Sequence, residues 1–254
     1  MKLHVSYAIE RGKNKQECED TGLIGHVVAN NASGELITET PSSVFICDGV
    51  GGNAGGQEAS RFVCDAISQS IIPDTIENAR AMIQAINSRL LSRAEQTAEH
   101  KTMATTATGL LITDHSFILC HIGDTRLYTQ QGESLQQVTA DHTVFQMLMN
   151  LGKEEEARHC SKEAICGAMG GGDNRLIDLL EVKTVFEREV PSLLLLTTDG
   201  IHDYLSEDEM EEIITDSKDS DLEKAGKLCK AALNHQSEDD RSAIVIRPED
   251  TEVQ

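Results

Sequence analysis

Four apolar runs in this chain end or begin at an aspartate. SVFIC leads into Asp48-Gly49, LLLLTT into Asp199-Gly200 and FILCHIG into Asp124, while SAIVI follows directly on Asp239-Asp240-Arg241. Short runs without polar alternation read as strands buried on both faces. The chain must therefore bring several carboxylates to the ends of buried strands. A buried carboxylate costs several kcal/mol unless it is paired or bound to a metal. Matching cations are few: Arg126, Arg241 and little else. An excess of carboxylates over cations points to a bound cation, and oxygen-only ligands favour Mg²⁺ or Mn²⁺ over zinc. Asp-Gly is also a common tight turn, a reading that explains one such site more easily than four.

Strand-like and helix-like stretches alternate without a linker or solenoid repeat. Early strands are expected at 3–9, 22–29 and 42–47. Helical spacing follows at 56–71, where Ala59, Phe62, Val63, Ala66 and Ile67 share a face, and again at 75–98. The runs 108–113, 117–122, 126–130 and 134–139, separated by turn residues, read as an antiparallel meander. Helix is expected over 141–158, a loop at Gly170–Gly172, strands near 177–186 and 192–198, and helices near 206–215 and 219–234. A last strand is expected at 242–247, followed by a frayed tail. The pattern predicts an α+β fold with sheet packed on sheet and helices outside.

Lys plus Arg number 22 against 43 Asp plus Glu, a formal net charge of −21. That field repels nucleic-acid phosphates and anionic lipid. Aromatics make up 3% of the chain and tryptophan is missing, which disfavours stacking platforms for single strands. The seven cysteines, an odd number with no C-x-x-C pair, argue against a disulfide framework or zinc knuckle and for a reducing, cytoplasmic setting. The N-terminus is too polar for a signal peptide, and no apolar run approaches the roughly 20 residues of a membrane span. No membrane partner is expected.

The stretch Asp48-Gly-Val-Gly-Gly-Asn-Ala-Gly-Gly lacks both the P-loop pattern and the dinucleotide fingerprint. Its glycines fit better with backbone approaching a metal, with the Gly49 carbonyl as a candidate ligand.

Seven segments, in order and over about residues 5–247, resemble the motifs of the metal-dependent protein phosphatases of the protein phosphatase 2C type, in their bacterial form. They are CED at 18–20, FICDGVGGNAGGQEAS at 45–60, ATTAT at 104–108, HIGDTRLY at 121–128, VTADHT at 138–143, LLLLTTDGIHDYLS at 193–206 and EDDRSAIVI at 238–246. The resemblance implies a single domain over 1–254. Its fold would be a central antiparallel β-sandwich flanked by helix pairs, in four α-β-β-α layers, with a flap-like segment at about 141–170. It implies two divalent ions, Mn²⁺ or Mg²⁺, with a third held more weakly. Carried over by residue, Asp48 bridges the metals and Gly49 offers its carbonyl to the second. Asp199 and Asp239 complete the first metal's shell, Glu19 and Asp20 act near the second, partly through water, and Asp124 with Asp199 holds the third. Two such ions share a water, lower its pKa and offset charge on the phosphoryl oxygens, so no Cys or Ser nucleophile is required.

The chain departs from the family in several places. Where an Arg usually clamps the substrate phosphate it has Lys15, with Arg11 upstream. A lysine lacks the bidentate fork, and either residue could take the role. Val50 stands where animal members carry a His. Cys18, Ala104 and Asp240 replace the usual Asn, Gly and Asn. His142 and His159 flank the flap and are candidates for protonating the leaving group, whereas His121 reads as a core residue. Arg126 reads as a structural ion-pair partner and the 154–156 acids as a solvated face.

The implied function is hydrolysis of phosphoserine and phosphothreonine in phosphorylated proteins, opposing a Ser/Thr kinase. Two alternatives remain. One is a catalytically weak or inactive regulatory module of the same fold, suggested by the lost clamp Arg. The other is a phosphohydrolase for small esters.

Overall fold

The computed structural model describes residues 1–50, 55–96, 101–187 and 190–249. Among these, fourteen strands form two antiparallel sheets. The first has the order β10 (Ser134–Gln137), β9 (Arg126–Gln131), β13 (Leu194–Thr197), β14 (Arg241–Glu249), β1 (Lys2–Glu10), β4 (Ser33–Glu39). The second has the order β11 (Met169–Gly170), β6 (Ala104–Thr105), β5 (Ser42–Val50), β7 (Ala107–Ile112), β8 (Phe117–Ile122), β12 (Glu181–Phe186). A hairpin of β2 (Asp20–Ile24) and β3 (Val27–Ala29) also joins β5 through β2.

The pleat explains why the central strands are apolar on both faces. Val44 and Ile46 enter the core between the sheets with Val5, Ile9, Leu194, Leu196 and Ile244. Their neighbours Phe45 and Cys47 face the other way, into a core with α1 (Gly56–Ser68) and α2 (Ile76–Ala94), where Val63, Ile67, Ile83 and Leu90 meet them. On the opposite flank Leu193, Leu195 and Val245 pack against α6 (Glu207–Thr215) and α7 (Asp221–Asn234) through Met210, Ile214 and Leu228. Three aliphatic cores thus separate four α-β-β-α layers, the expected architecture.

Several elements differ from the sequence pattern. The expected meander is divided between sheets: β7 and β8 pair in one, β9 and β10 in the other. The chain crosses over at 123–125 because Gly123, at φ 107, turns it out of the second sheet. The run 22–29 is a hairpin that reverses at Gly25 (φ 60). The helix expected over 141–158 breaks at Gly152 (φ 70) into α3 (Val144–Asn150) and α4 (Glu154–Ala157). Residues Asn174–Leu179 form a 3-10 turn, so the next strand starts only at Glu181. The edge strand β4 gave no apolar run because every second residue is exposed. The end of the 75–98 helix, part of the glycine-rich loop and the tail beyond Glu249 lie outside the described residues.

Candidate active site

Strand register assembles the site at one end of the sandwich. Asp20 opens β2 directly opposite Asp48 of β5. The crossover from β8 to β9 carries Asp124. β13 turns at Thr198 into a short helix, α5 (Asp199–His202), whose first residue is Asp199. Asp239 and Asp240 precede β14, and the loop leaving β1 supplies Arg11, Lys15 and Glu19. Of the expected residues, Lys15, Glu19, Asp48, Gly49, Asp124, Asp199 and Asp239 line a single cleft of about 640 Å³. Asp20 lies beneath it, fully buried. Arg11 is not among the lining residues, and its Nη1 donates to the Gln16 carbonyl at 2.5 Å.

The histidines stand elsewhere. His121 is buried behind the Asp124 crossover, bonded to Thr108 Oγ1 at 2.8 Å and to the Ala140 carbonyl at 2.9 Å. Burial and the neighbouring His142 push it down to about 4. The Nδ1 of His142 accepts from the Gly123 amide at 3.2 Å. Neither His142 nor His159 lines the cleft, so neither is placed to protonate a leaving group there. Arg126 forms a two-pronged ion pair with Asp141, at 2.9 and 2.6 Å. Glu154, Glu155 and Glu156 are exposed.

The carboxylates repel one another in a poorly solvated space. Burial, then the charge of Asp20, Asp199, Asp124 and Asp239, raises Asp48 well above the usual range. Burial and Asp199 push Asp124 up to about 8. Burial and Asp239 push Asp199 up to about 6. Asp20 is raised by burial and Asp240, although its Oδ2 accepts from Thr198 Oγ1 at 2.9 Å and Ser242 Oγ at 2.6 Å. Among the described residues, nothing donates to the buried Asp20 Oδ1 and Asp199 Oδ1. Such lone pairs are costly to leave unmatched.

The surrounding backbone is held firmly. The Asp48 amide donates to Thr106 Oγ1 at 3.0 Å, and its carbonyl accepts from the Thr106 amide and Thr105 Oγ1, both at 2.8 Å. Residue 49 must be glycine because a Cβ would drive into the Gly56 backbone. Asp240, 1% exposed, organises the β1 loop: Oδ1 accepts from the Gly12 amide and Oδ2 from the Glu19 amide, both at 2.7 Å. Lys15 Nζ also bonds to Asp240 Oδ2 and to Glu19, each at 3.1 Å, and pairs with Asp239. Burial works against its charge, but the bond and charge of Asp239, with Asp240, outweigh that and raise it above its ordinary value.

The sequence pattern did not single out five lining residues: Lys162, Glu163, Ile165, Asp203 and Tyr204. Asp203 could have been found from its spacing, since it stands one helical turn after Asp199, its amide donating to the Asp199 carbonyl at 3.0 Å. Lys162 and Glu163 had no such signal, because long-range folding alone brings them over the cleft.

Buried carboxylate oxygens without donors, raised by their own repulsion, suit hard divalent cations. Among the described residues no three acidic, His or Cys side chains stand as a ready cation cage. An ion here would draw on backbone oxygen and water as well, as Mg²⁺-type ions commonly do.

Comparison with known proteins agrees with this chemistry. The family model described as protein phosphatase 2C matches residues 15–235. The serine/threonine phosphatase stp of Listeria welshimeri is 28% identical over 255 residues, covering 96% of this chain and 95% of its own. The crystal structure of the phosphatase Stp1 from Staphylococcus aureus superposes with a TM-score of 0.78 at 26% identity, over 97% of this chain and 95% of that one. The catalytic domain of the phosphatase PstP in complex with two manganese ions gives 0.74 at 25% identity, over 98% and 100%. With most of its length matched, this chain belongs to the protein phosphatase 2C family.

Proposed function

We propose that the chain is a serine/threonine protein phosphatase that hydrolyses phosphoserine and phosphothreonine in proteins with the help of two divalent metal ions, as a single domain with a flap at about 141–170. The relatives named as serine/threonine phosphatases and the manganese complex of PstP support this. The observation that carries it is the cleft itself, where Glu19, Asp48, Asp124, Asp199 and Asp239 converge and one buried Asp199 oxygen has no donor among the described residues.

Asp48 would bridge two ions, with Asp199 and Asp239 on the first, the Gly49 carbonyl, Glu19 and Asp20 toward the second, and Asp124 with Asp199 at a weaker third. Ions bound there supply Lewis acidity that makes water nucleophilic near neutral pH and offset phosphoryl charge. The chain's own residues set the positions. Thr105 and Thr106 fix the Asp48 backbone. Thr198 and Ser242 orient one oxygen of Asp20 and leave the other open. Asp240 holds Glu19 by its amide.

The departures from the family pattern take no carboxylate from this set. Cys18 is buried and its Sγ donates to the Asp20 carbonyl at 3.6 Å, and Ala104 lies in β6. Nothing here favours a module without turnover. Among the described residues no helix is long and apolar enough to cross a membrane, and all seven cysteines are free thiols. The free thiols fit a reducing, cytoplasmic setting, and the phosphatase reading itself implies an opposing Ser/Thr kinase. Purified protein with Mn²⁺ should release phosphate from a phosphothreonine peptide and do so poorly in EDTA. No turnover with Mn²⁺ would overturn the assignment.

A further inference from the structure

We propose that a shallow basic pocket on α1 and α2, outside the acidic cleft, docks a second phosphorylated residue of the substrate, so that doubly phosphorylated polypeptides are preferred. This rests on the phosphatase reading and names its substrate class. The pocket, about 330 Å³, is lined by Phe62, Ser88, Arg89, Ser92, Arg93 and Gln96. None of these lines the cleft. Arg89 and Arg93, one turn apart on α2, both lay a guanidinium over the ring of Phe62 on α1, 5.6 and 5.7 Å from its centroid. The ring is half-buried and packs on the core beneath the two helices, so the platform is fixed from below. The serine hydroxyls donate to the α2 backbone at Gln84 and Ser88, which leaves the guanidiniums as the pocket's strongest donors.

Arg93 pairs with Glu58, and Arg61, beside the ring in sequence, pairs with Asp65 at 3.7 Å. Arg89 is exposed and, among the described residues, pairs with no carboxylate. A guanidinium stacked on a ring keeps its planar edge for two-pronged bonds to phosphate. With 43 acidic residues against 22 Lys and Arg, most of this surface repels a phosphorylated segment, and an unpaired arginine beside a second one is a local attraction. The pocket also lies within reach of the cleft. α1 starts at Gly56, whose backbone packs against Gly49 of the cleft. Phe62 stands further along the same helix, about 9 Å up its axis. An extended peptide spans that distance in about three residues, and a path over the surface takes a few more.

The test uses the full chain with Mn²⁺ and phosphothreonine peptides that carry a non-hydrolysable phosphonate analogue of phosphoserine about three to about eight residues from the scissile residue. At the best spacing KM should fall about fivefold against the singly phosphorylated peptide, as expected for exposed charge-assisted hydrogen bonds, with turnover unchanged. Arg89→Ala should erase most of this gain and handle the singly phosphorylated peptide as wild type does. Arg89→Lys, which keeps the charge without the fork, should keep about half of it. Arg61→Ala, which removes the same charge from a neighbouring position outside the pocket, should keep the gain. Glutamate in place of the phosphonate should lower KM by less than about twofold. No gain at any spacing, a gain that survives Arg89→Ala, or an equal loss in Arg61→Ala would overturn the proposal. So would an equal gain from glutamate, because the pocket would then read acidity alone. A second measurement works without turnover. In EDTA, the phosphonate peptide lacking the scissile phosphate should shift the amide resonances of Phe62, Arg89 and Arg93 in wild type and not in Arg89→Ala. It reads the pocket even if wild type releases no phosphate and the phosphatase reading fails, and absent shifts would sink the pocket while leaving that reading intact.

Discussion

Asp48 and Lys162 face the same cleft from segments held in very different ways. Asp48 sits on a central strand, opposite Asp20, with its amide and carbonyl both bonded to the threonines of 105–106. Lys162 follows α3 and α4, and α3 buries none of its residues, leaving Met147 and Met149 partly exposed and Leu151 64% exposed. The strand ends are over-determined by packing, so they can hold mutually repelling carboxylates in place. The segment after α3 is tied by a few backbone bonds, so it has more freedom to move without disturbing the carboxylates. Local stability varies in this way across many proteins, and mobile binding elements come from its low end.

The largest effect should come from the rigid side. Asp199→Asn should lower Mn²⁺-dependent turnover by at least about a thousandfold, yet leave the melting temperature in EDTA undiminished, because it removes a buried charge whose Oδ1 has no donor among the described residues. A variant that lost both activity and fold would show that Asp199 is held for structure, and the contrast with the flap would lose its meaning. Asp240→Ala should act the other way. It strips acceptors from the buried Gly12 amide, the partly buried Glu19 amide and Lys15, so urea unfolding should show a loss of about 3 kcal/mol. Asp240→Asn, which keeps an acceptor, should recover more than half.

The electrostatic strain predicts a pH dependence with a definite sign. The folded-state values of Asp124, about 8, and Asp199, about 6, lie above the ordinary 3.8. These carboxyls therefore hold more protons in the native protein than in the unfolded chain in that window, so their contribution to the stability of the metal-free protein rises as pH falls through it, offset in part by the lowered His121. Urea unfolding in EDTA should show a gain on the order of 2 kcal/mol between about pH 8 and about pH 5. Saturating Mn²⁺ should stabilise more at the higher pH and flatten the slope. A metal-free protein most stable at the higher pH would mean that the carboxylates are not held together as the strand register places them.

The same contrast decides what was legible in the sequence. Apolar runs ending at Asp48, Asp124 and Asp199 announced both the buried strands and the acidic site, because a doubly buried strand needs an unbroken apolar run and its carboxylate stands out against it. The division of the 108–139 strands between two sheets was not legible. Each strand alternates or fills locally in the same way, and only the turn at Gly123 sends the chain across. Nor was the commitment of Lys15, since Asp240, its fixed partner, is 225 residues away. On the flap, a helical period over 141–158 ran straight through Gly152, where positive φ breaks it. Lys162 lies on an exposed stretch where nothing in composition or spacing distinguishes a residue of the cleft from a solvated charge.

The smallest effect belongs to the flap. Thr143 caps α3, its Oγ1 accepting from the Gln146 amide at 3.1 Å, and it is buried against the bridge to Ile165. Losing such a cap costs about 1 kcal/mol of helix stability. If the flap opens without the sandwich, that loss appears only locally. In Thr143→Ala, amide exchange across 144–150 should quicken about fivefold, while the urea midpoint of the whole domain stays put. If instead the midpoint fell by the full amount and exchange quickened equally in β5 and β13, the flap and the strand ends would unfold as one cooperative unit. The segment carrying Lys162 and the fixed carboxylates would then have to be understood as one rigid site.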